Sequence, residues 1–374
     1  MGPVISPPSK TQATLDSKAL DLSGLTLPEV IQFVEELGER PYRAGQVYRW
    51  IHQRAVSDFD QMTDLSKAFR QTLKERATLS PLEKDLEQRS ADGTIKYRFR
   101  TADGKLIEAV YMPSEDRRTL CVSTQAGCAM GCTFCMTATL GLQRNLTPGE
   151  MVSQVNWVNG ELKLTRAAPA RPLTNLVFMG MGEPLHNFDS LKKALSILQS
   201  EEGANFSHRH ITVSTVGLVP MIERFGRETD VKLAISLNAS FDEQRSKLMP
   251  INRRWNIAPL LDACRKFPLR QGRRITFEYV LMAGVNDSDE DAHRLVELLR
   301  GIPAKVNLIP YNENPGLEFH STPEQRAEAF RAILAEGHLA AFVRKNRGRD
   351  IAAACGQLAN LSPGGNVSDR APSS

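Results

Sequence analysis

The stretch TLCVSTQAGCAMGCTFCMT, residues 119–137, begins as a strand and ends as a ligand loop. Its first part, TLCVSTQ (119–125), is rich in β-forming residues. Its second part, GCAMGCTFCMT (127–137), sets Cys128, Cys132 and Cys135 in a C-x3-C-x2-C run. Thiols this closely spaced, in a chain poor in cysteine and without an export signal, point to metal binding in a reducing compartment rather than to disulfides. Three sulfurs are one short of a closed structural zinc site or a fully protein-ligated iron–sulfur cubane. The nearest histidine, His186, lies far along the chain, and there is no second C-x2-C pair. Zinc remains a rival on ligand chemistry. A cubane with one iron lacking a thiolate is the stronger reading.

Working outward, strand-like runs recur at 174–182 (TNLVFMGMG), 210–217 (HITVSTVG), 231–239 (VKLAISLNA), 274–284 (RITFEYVLMAG) and 305–312 (KVNLIPYN). Helical runs with clear start signals alternate with them. Thr147-Pro148-Gly149-Glu150 reads as a capping box with proline at the first helical position. Thr322-Pro323-Glu324-Gln325 repeats the pattern, and Ser288 precedes an acidic first turn of Asp289, Glu290 and Asp291. Strand–helix alternation predicts parallel strands with right-handed crossovers. Two topologies fit: an open doubly wound sheet, or an incomplete barrel of the (β/α)8 kind. No G-x-G-x-x-G follows the first strand, which counts against the dinucleotide-binding form.

In either topology the loops after the strands gather on one rim, where ligands bind. The cysteine loop falls there. So do Gly180-Met181-Gly182-Glu183-Pro184, Ser214, Ser236, Asn238, Tyr311 and Asn312. Polar residues recurring at strand ends predict a shared pocket for a small polar cofactor.

Upstream, residues 94–113 alternate apolar and polar about Ala102-Asp103-Gly104 and predict a β-hairpin. Residues 23–80 predict a small helical domain. There Arg40, Tyr42, Arg43, Tyr48, Arg49, Trp50, His52 and Arg54 interleave charge with aromatic rings. Such a face either touches RNA or is an amphipathic helix with a solvated basic side. The division expected is a loose tail at 1–22, the helical domain at 23–80, a linker and hairpin at 81–117, an α/β partial barrel at 118–345, a C-terminal segment at 346–361 and a second loose tail at 362–374. With 374 residues, 41% hydrophobic, and a formal net charge of +4, the composition is that of a globular protein that tolerates a nucleic-acid partner. No apolar run is long enough to span a bilayer, so a cytoplasmic protein is expected.

The cysteine spacing, Phe134 before the last cysteine, and Gly182-Glu183-Pro184 together resemble the radical S-adenosylmethionine (SAM) enzymes. That resemblance implies an incomplete (β/α)6 barrel and a 4Fe–4S cluster on Cys128, Cys132 and Cys135, whose open iron binds SAM. Four stretches narrow it: RTLCVSTQAGCAMGCTFC (118–135), GMGEPLHN (180–187), LMPINRRWNI (248–257) and DIAAACGQL (350–358). They resemble the bacterial adenine-C2 methyltransferases of 23S rRNA and tRNA, from about residue 23 to 361.

The resemblance implies that Cys355 carries the methyl group and that Cys121 resolves the RNA adduct by disulfide formation. Glu108 is the implied proton acceptor; without the resemblance it reads as an exposed strand carboxylate. Gly182, Glu183, Ser214, Ser236, Leu237, Asn238 and Asn312 are the implied SAM contacts, with two SAM used per turnover. A flavodoxin-type electron donor and a monomeric enzyme are also implied. The rival activities are adenine-C8 methylation and, in another class, non-catalytic RNA binding on a metal staple. Cys264, at helical spacing in IAPLLDACRKF, reads as core. Candidates to meet RNA phosphate, each charge run reading equally as solvated surface, are Arg245, Lys247, Arg253 and Arg254, the stretch Arg265 to Arg274, and RKNRGR at 344–349 beside Cys355.

Overall fold

A computed structural model of the chain describes residues 19–163, 172–314 and 316–359. The sequence alternates between period two and period 3.6, and the chain responds with one large sheet flanked by helices. Three antiparallel strands lead: β1 (Leu82–Arg89), β2 (Ile95–Thr101) and β3 (Leu106–Pro113). Then come β4 (Arg118–Cys121), β5 (Asn175–Phe178), β6 (Ile211–Thr215), β7 (Lys232–Ser236), β8 (Ile275–Leu281), β9 (Ala304–Pro310) and β10 (Ala341–Val343). β3 pairs antiparallel with β4, and from β4 to β10 each strand pairs parallel with the next.

The sheet has ten strands, and each lies beside its neighbour in sequence. A doubly wound sheet reverses its strand order at the ligand crevice. There is no reversal here, so the barrel-type α/β order holds. The predicted (β/α) units are present with their helices: α4 (Pro148–Lys163), α5 (Phe188–Gln199), α6 (Val219–Glu228), α7 (Asp242–Leu248), α8 (Ile257–Lys266), α9 (Asp289–Leu299) and α10 (Glu324–Glu336). Cys264, on α8, is buried in the core as expected. No helix among the described residues is long and apolar enough to cross a membrane.

Two strands were not expected. β1 runs through residues read as a linker. Its sequence, LEKDLEQR, is that of a charged edge strand, bulged between Lys84 and Leu86, and charge on an edge discourages further pairing. β10 is too short for periodicity to show.

The helix starts divide as well. Thr147 and Glu150 form the expected reciprocal cap: Glu150 N donates to Thr147 Oγ1 at 3.1 Å, and Thr147 N to Glu150 Oε2 at 2.8 Å. Ser288 and Asp291 do the same for α9. Thr322 does not cap α10. Its hydroxyl donates to Asp287 Oδ2 at 2.9 Å, and Pro323 takes the cap position.

Residues 20–79 carry α1 (Leu27–Glu36), α2 (Tyr42–His52) and α3 (Lys67–Arg76), and meet the barrel chiefly where the Leu22–Gly24 turn packs on α4, Ser23 Oγ lying 2.9 Å from Ser153 Oγ. Residues 19–22, expected in the loose tail, are not loose: Leu20 and Asp21 pair parallel with Ala77 and Thr78, and Leu22 is buried. The tails expected at 1–18 and 362–374 lie outside the described residues.

On α2 the interleaved residues split between two faces. Tyr48, Trp50 and His52 are buried, and among the aromatic residues of this group only Tyr42, stacked under Arg43 at 5.0 Å, stands exposed. Those three aromatics are therefore core and not RNA contacts: Tyr48 and His52, four residues apart, share one face, and Trp50, half a turn round, is covered on another, where its Nε1 donates to Asp64 Oδ1. Arg49 pairs with Glu202 at 2.8 Å.

His52 lies 4.4 Å from the Tyr48 ring, and its Nδ1 meets Asn156 Nδ2 at 3.3 Å. Burial pushes its pKa down to about 3. The unfolded chain takes this proton below about pH 6.5 and the folded chain does not. Stability from this group is therefore complete above pH 6.5 and declines as pH falls toward 3. Chemical denaturation between pH 7.5 and 5 should show wild-type losing up to about 1.4 kcal/mol per pH unit below 6.5, with a shallower slope in His52→Gln. Equal slopes would exclude a proton-refusing His52.

Candidate active site

The ligand loop begins where β4 ends. Residues Gln125–Gly127 leave the sheet and pair with Leu142–Asn145 as a small antiparallel ribbon, which closes the loop at its base. Gly127 has φ +76°, and a Cβ there would meet the Gly141 carbonyl oxygen at 1.8 Å, so no side chain fits. Between these ends stand Cys128, Cys132 and Cys135. Cys132 and Phe134 pack with Ala239, Leu248, Met249, Met282 and Tyr311 in a small apolar cluster. Burial raises all three thiols, Cys128 to about 12. Cys135 and Cys128 push Cys132 up further, so the three are electrostatic neighbours.

Among the described residues, no three His, Cys, Asp or Glu side chains converge to hold a single metal ion. A cubane asks for something different, one thiolate on each of three irons. Apolar walls, three neighbouring thiols and a glycine-hinged base fit such a group. Its positive irons would draw the thiols into the thiolate form that burial alone opposes. His186, the nearest histidine in sequence, has its Nδ1 3.0 Å from Gln125 Nε2 at the base of the loop.

The Gly-Glu-Pro turn after β5 locks onto the same loop. Gly182 has φ +98°, and a Cβ would lie 2.5 Å from Gln125 Cβ. Glu183 N donates to Gln125 Oε1 at 2.8 Å. The buried Glu183 carboxylate accepts from Leu185 N at 3.0 Å and from Val216 N at 2.9 Å. Burial raises its pKa to about 7 against those donors.

Asn238, at φ +57°, is similarly engaged. Its Oδ1 accepts from Val280 N at 2.9 Å, and its Nδ2 faces Met249 Sδ at 3.3 Å. At both positions the side chain ties loops together. Ser214 and Ser236 bring their hydroxyls within 3.4 Å of each other, and Leu237 is buried behind them. Asn312 is buried, with an Oδ1 that has no hydrogen-bond partner among the described residues. An orphaned buried acceptor facing this rim suits a polar ligand group.

The C-terminal segment brings Cys355 to the same place. Met136 N donates to Gly356 O at 2.8 Å, and Thr137 Oγ1 to Leu358 O at 2.7 Å. Asn312 Nδ2 donates to Cys355 O at 3.4 Å. Cys355 is exposed to solvent on one side, yet surrounding protein raises its thiol through burial and then through Glu278. Cys121, at the end of β4, is fully enclosed. Burial, and next the nearby Cys355, hold its thiol far above the usual range. The two cysteines are free thiols within electrostatic reach of each other.

Glu108, which without the resemblance reads as an exposed strand carboxylate, is fully buried, because β3 is covered on both faces. It pairs with Lys96, Nζ to Oε1 at 3.5 Å, and its Oε2 accepts from Ala359 N at 2.9 Å.

Three other residues escaped the sequence reading. Gln125 bridges the cysteine loop to the Gly-Glu-Pro turn. Glu278 and Asn307, register partners on β8 and β9, are joined at 3.0 Å on the face shared with Ser236. A lone carboxylate inside the apolar run RITFEYVLMAG was the available signal.

The basic clusters behave unequally. Arg245 is wholly buried and does not face RNA. Its guanidinium donates to the carbonyls of Leu237 (3.1 Å), Val216 (2.7 Å) and Ser236 (3.2 Å) and to Asn252 Oδ1 (3.0 Å). It satisfies strand-end carbonyls that would otherwise be orphaned. Arg270 and Arg273 are tied to Asp230, and Arg347 to the Pro113 carbonyl. Lys247, Arg253 and Arg254 stay exposed beside Trp255. Arg245→Ala should therefore lower stability by at least about 3 kcal/mol and leave the salt dependence of RNA binding unchanged. Arg253→Ala should reduce the log–log salt slope by about one and leave the melting temperature alone. Exchange of these two behaviours would contradict the assignments.

Comparison with known proteins agrees with this geometry. Residues 20–79 match the ribosomal RNA large subunit methyltransferase N-terminal domain, and residues 122–296 match the radical SAM superfamily. The dual-specificity RNA methyltransferase RlmN 2 of Myxococcus xanthus is 72% identical over 350 residues, 93% of either chain. The dual-specificity RNA methyltransferase RlmN of Anaeromyxobacter dehalogenans is 62% identical over 340 residues, 91% of either chain. A crystal structure of a radical SAM methyltransferase from Sphaerobacter thermophilus superposes with a TM-score of 0.87 at 48% identity, covering 91% of this chain and 99% of that one. The radical SAM superfamily implies SAM and a 4Fe–4S cluster, and the loop described above fits both. With both domains matched and identity this high across nearly the whole chain, the protein is a SAM-dependent RNA methyltransferase and belongs to the RlmN family of radical SAM enzymes.

Proposed function

We propose that this enzyme methylates C2 of an adenosine in the peptidyl transferase centre of 23S rRNA, and the adenosine 3′ of the anticodon in tRNA, with Cys355 as methyl carrier. The observation that supports it most is the pairing of two free thiols, Cys121 and Cys355, beside the cysteine loop. A metal-stapled binding protein needs neither thiol. The names of the relatives, which call them dual-specificity RNA methyltransferases, support two RNA substrates.

Adenine C2 is not nucleophilic, so it cannot take a methyl group from SAM directly. Cys355 does so first: its sulfur bonds the methyl of one SAM, loses its proton and releases S-adenosylhomocysteine. When bound, a 4Fe–4S cluster on Cys128, Cys132 and Cys135, with a second SAM on its remaining iron, supplies a carbon radical able to take a hydrogen atom. The methyl on Cys355 loses that atom, and its carbon bonds adenine C2. The adduct radical returns one electron to the external flavodoxin-type carrier that had supplied it, and gives its C2 proton to Glu108. Cys121 thiolate then attacks the Cys355 sulfur. The S–S bond forms as the S–C bond breaks, and the carbon takes a proton to leave as the methyl group. An external two-electron reductant restores the thiols.

Gly182, Glu183, Ser214, Ser236, Leu237, Asn238 and Asn312 line SAM in this reading. The adenosine enters unstacked, because a base inside a stem cannot reach Cys355. A monomeric cytoplasmic enzyme fed by a flavodoxin-type donor completes the proposal.

Digested 23S rRNA treated with the anaerobically reconstituted enzyme should yield 2-methyladenosine by mass analysis. Recovery of 8-methyladenosine instead would replace the C2 assignment with the sister reaction. In Cys121→Ala, RNA should accumulate covalently on the protein, because attachment proceeds and release does not. A Cys121→Ala enzyme that turns over without an adduct contradicts the resolving role. Cys355→Ala should transfer no methyl to RNA.

A further inference from the structure

The loop that carries Cys355 is held by three segments. One is the cysteine loop, through Met136 and Thr137, and another is the stretch 312–314, through Asn312, Asn314 and the Glu313 carbonyl. The third is the antiparallel extension, where the contacts nearest Cys355 on either side come from a buried ion pair. Lys96 on β2 and Glu108 on β3 are diagonal neighbours on one face, since Arg98 is the register partner of Glu108. Both are buried, at 4% and 0% exposure. Lys96 Nζ reaches Glu108 Oε1 at 3.5 Å and donates to the Ala352 carbonyl at 3.2 Å. Glu108 Oε2 accepts from Ala359 N at 2.9 Å. The pair therefore grips the loop before and after Cys355.

The residue that Lys96 holds is unusual. Ala352 has φ +49°, a left-handed conformation that alanine avoids, while Gly356 takes φ +81° freely. Cys355 thus stands between two left-handed turns, and only the first is strained. A strained non-glycine residue persists where its surroundings over-determine it. Here the ammonium draws in the Ala352 carbonyl and keeps it beside the Glu108 carboxylate, two oxygens that would otherwise repel. A buried ion pair is a weak source of net stability compared with apolar side chains of the same size. What this one adds is direction, at both flanks of the carrier thiol.

We propose that Lys96 is a positioning residue for Cys355: with Glu108 it fastens the strained turn at Ala352 and so sets where the carrier sulfur stands. The proposal deepens the methyl-carrier reading and rests on it. It makes Glu108 a structural partner of the loop as well as the proton acceptor.

The test uses reconstituted holoenzyme carrying Cys121→Ala, with SAM, a reductant and a 23S rRNA fragment under anaerobic conditions. Protein–RNA adduct is quantified on denaturing gels. Alkylation of Cys355 by iodoacetamide is followed separately by mass spectrometry without RNA. Adding Lys96→Met should lower adduct yield at least tenfold and raise the alkylation rate several-fold at the parental iron content. Lys96→Arg, which keeps a cationic donor, should recover a substantial part of both. Adduct within twofold of the parent, or a loss of adduct with unchanged alkylation, overturns the proposal.

Lys96→Met strands a buried carboxylate and can fail to fold, so Ala352→Val approaches the same turn from the other partner and leaves the ion pair intact. A β-branched residue fits a positive φ worse than alanine does. Ala352→Val should reproduce the loss of adduct and the faster alkylation, and parental behaviour in that variant overturns the proposal. If the Cys121→Ala parent itself forms no adduct, the carrier reading fails instead, and the alkylation rates of the Lys96 and Ala352 variants alone decide whether the loop is held as described.

Discussion

Two hydrogen bonds, Met136 N to Gly356 O and Thr137 Oγ1 to Leu358 O, join the residues after the third loop cysteine to those after Cys355. Radical chemistry tolerates little slack between the group that makes the radical and the carbon that carries it. The two segments are 221 residues apart for the Thr137 bond. Nothing local holds them together, so the ten-stranded sheet serves as the frame that lets these short contacts form. The antiparallel extension works from the opposite side, gripping Ala352 and Ala359 through Lys96 and Glu108.

The rim of the barrel illustrates a general tension. Polar residues gather where strands end because a ligand sits there, and also because strand-end backbone groups need partners. Arg245 belongs to the second kind. Its guanidinium is surrounded by carbonyl oxygens of 216, 236 and 237, and burial drops its pKa to about 10 without a carboxylate hydrogen-bonded to it. Glu183 and Asn238 also hold loops, their side chains accepting from the backbone N–H groups of 185, 216 and 280. Ser214, Ser236 and the orphaned Asn312 Oδ1 are of the first kind in the proposed reading.

The same division runs through the basic residues. A charge run in a sequence records only that cations are adjacent along the chain. Folding sent Arg347 to a backbone carbonyl and Arg270 to Asp230, and left Lys247, Arg253 and Arg254 in solvent. In α2 packing on two sides of the helix covered Tyr48, Trp50 and His52 while Tyr42 stayed out. Fewer arginines and aromatics are thus left in solvent than the sequence alone offered.

The strand–helix alternation, the hairpin about Ala102-Asp103-Gly104, the caps at Thr147 and Ser288 and the three-thiol loop were all legible from residue patterns, because each depends on spacing within a few turns of chain, whereas those patterns left the strand order open between a doubly wound sheet and a partial barrel. Glu108 was not: a carboxylate in an alternating strand looks exposed until a second segment covers it. Thr322 was misread for a related reason, since its hydroxyl had a choice between its own helix and Asp287 and took the latter. Lys96, Gln125 and Glu278 carried almost no local signal. Their partners lie far away in sequence, and packing alone decides which buried polar atoms meet. Local periodicity and ligand chemistry thus set the elements and the metal loop, whereas the neighbours of Cys355 followed from which distant segments the folded sheet pressed together.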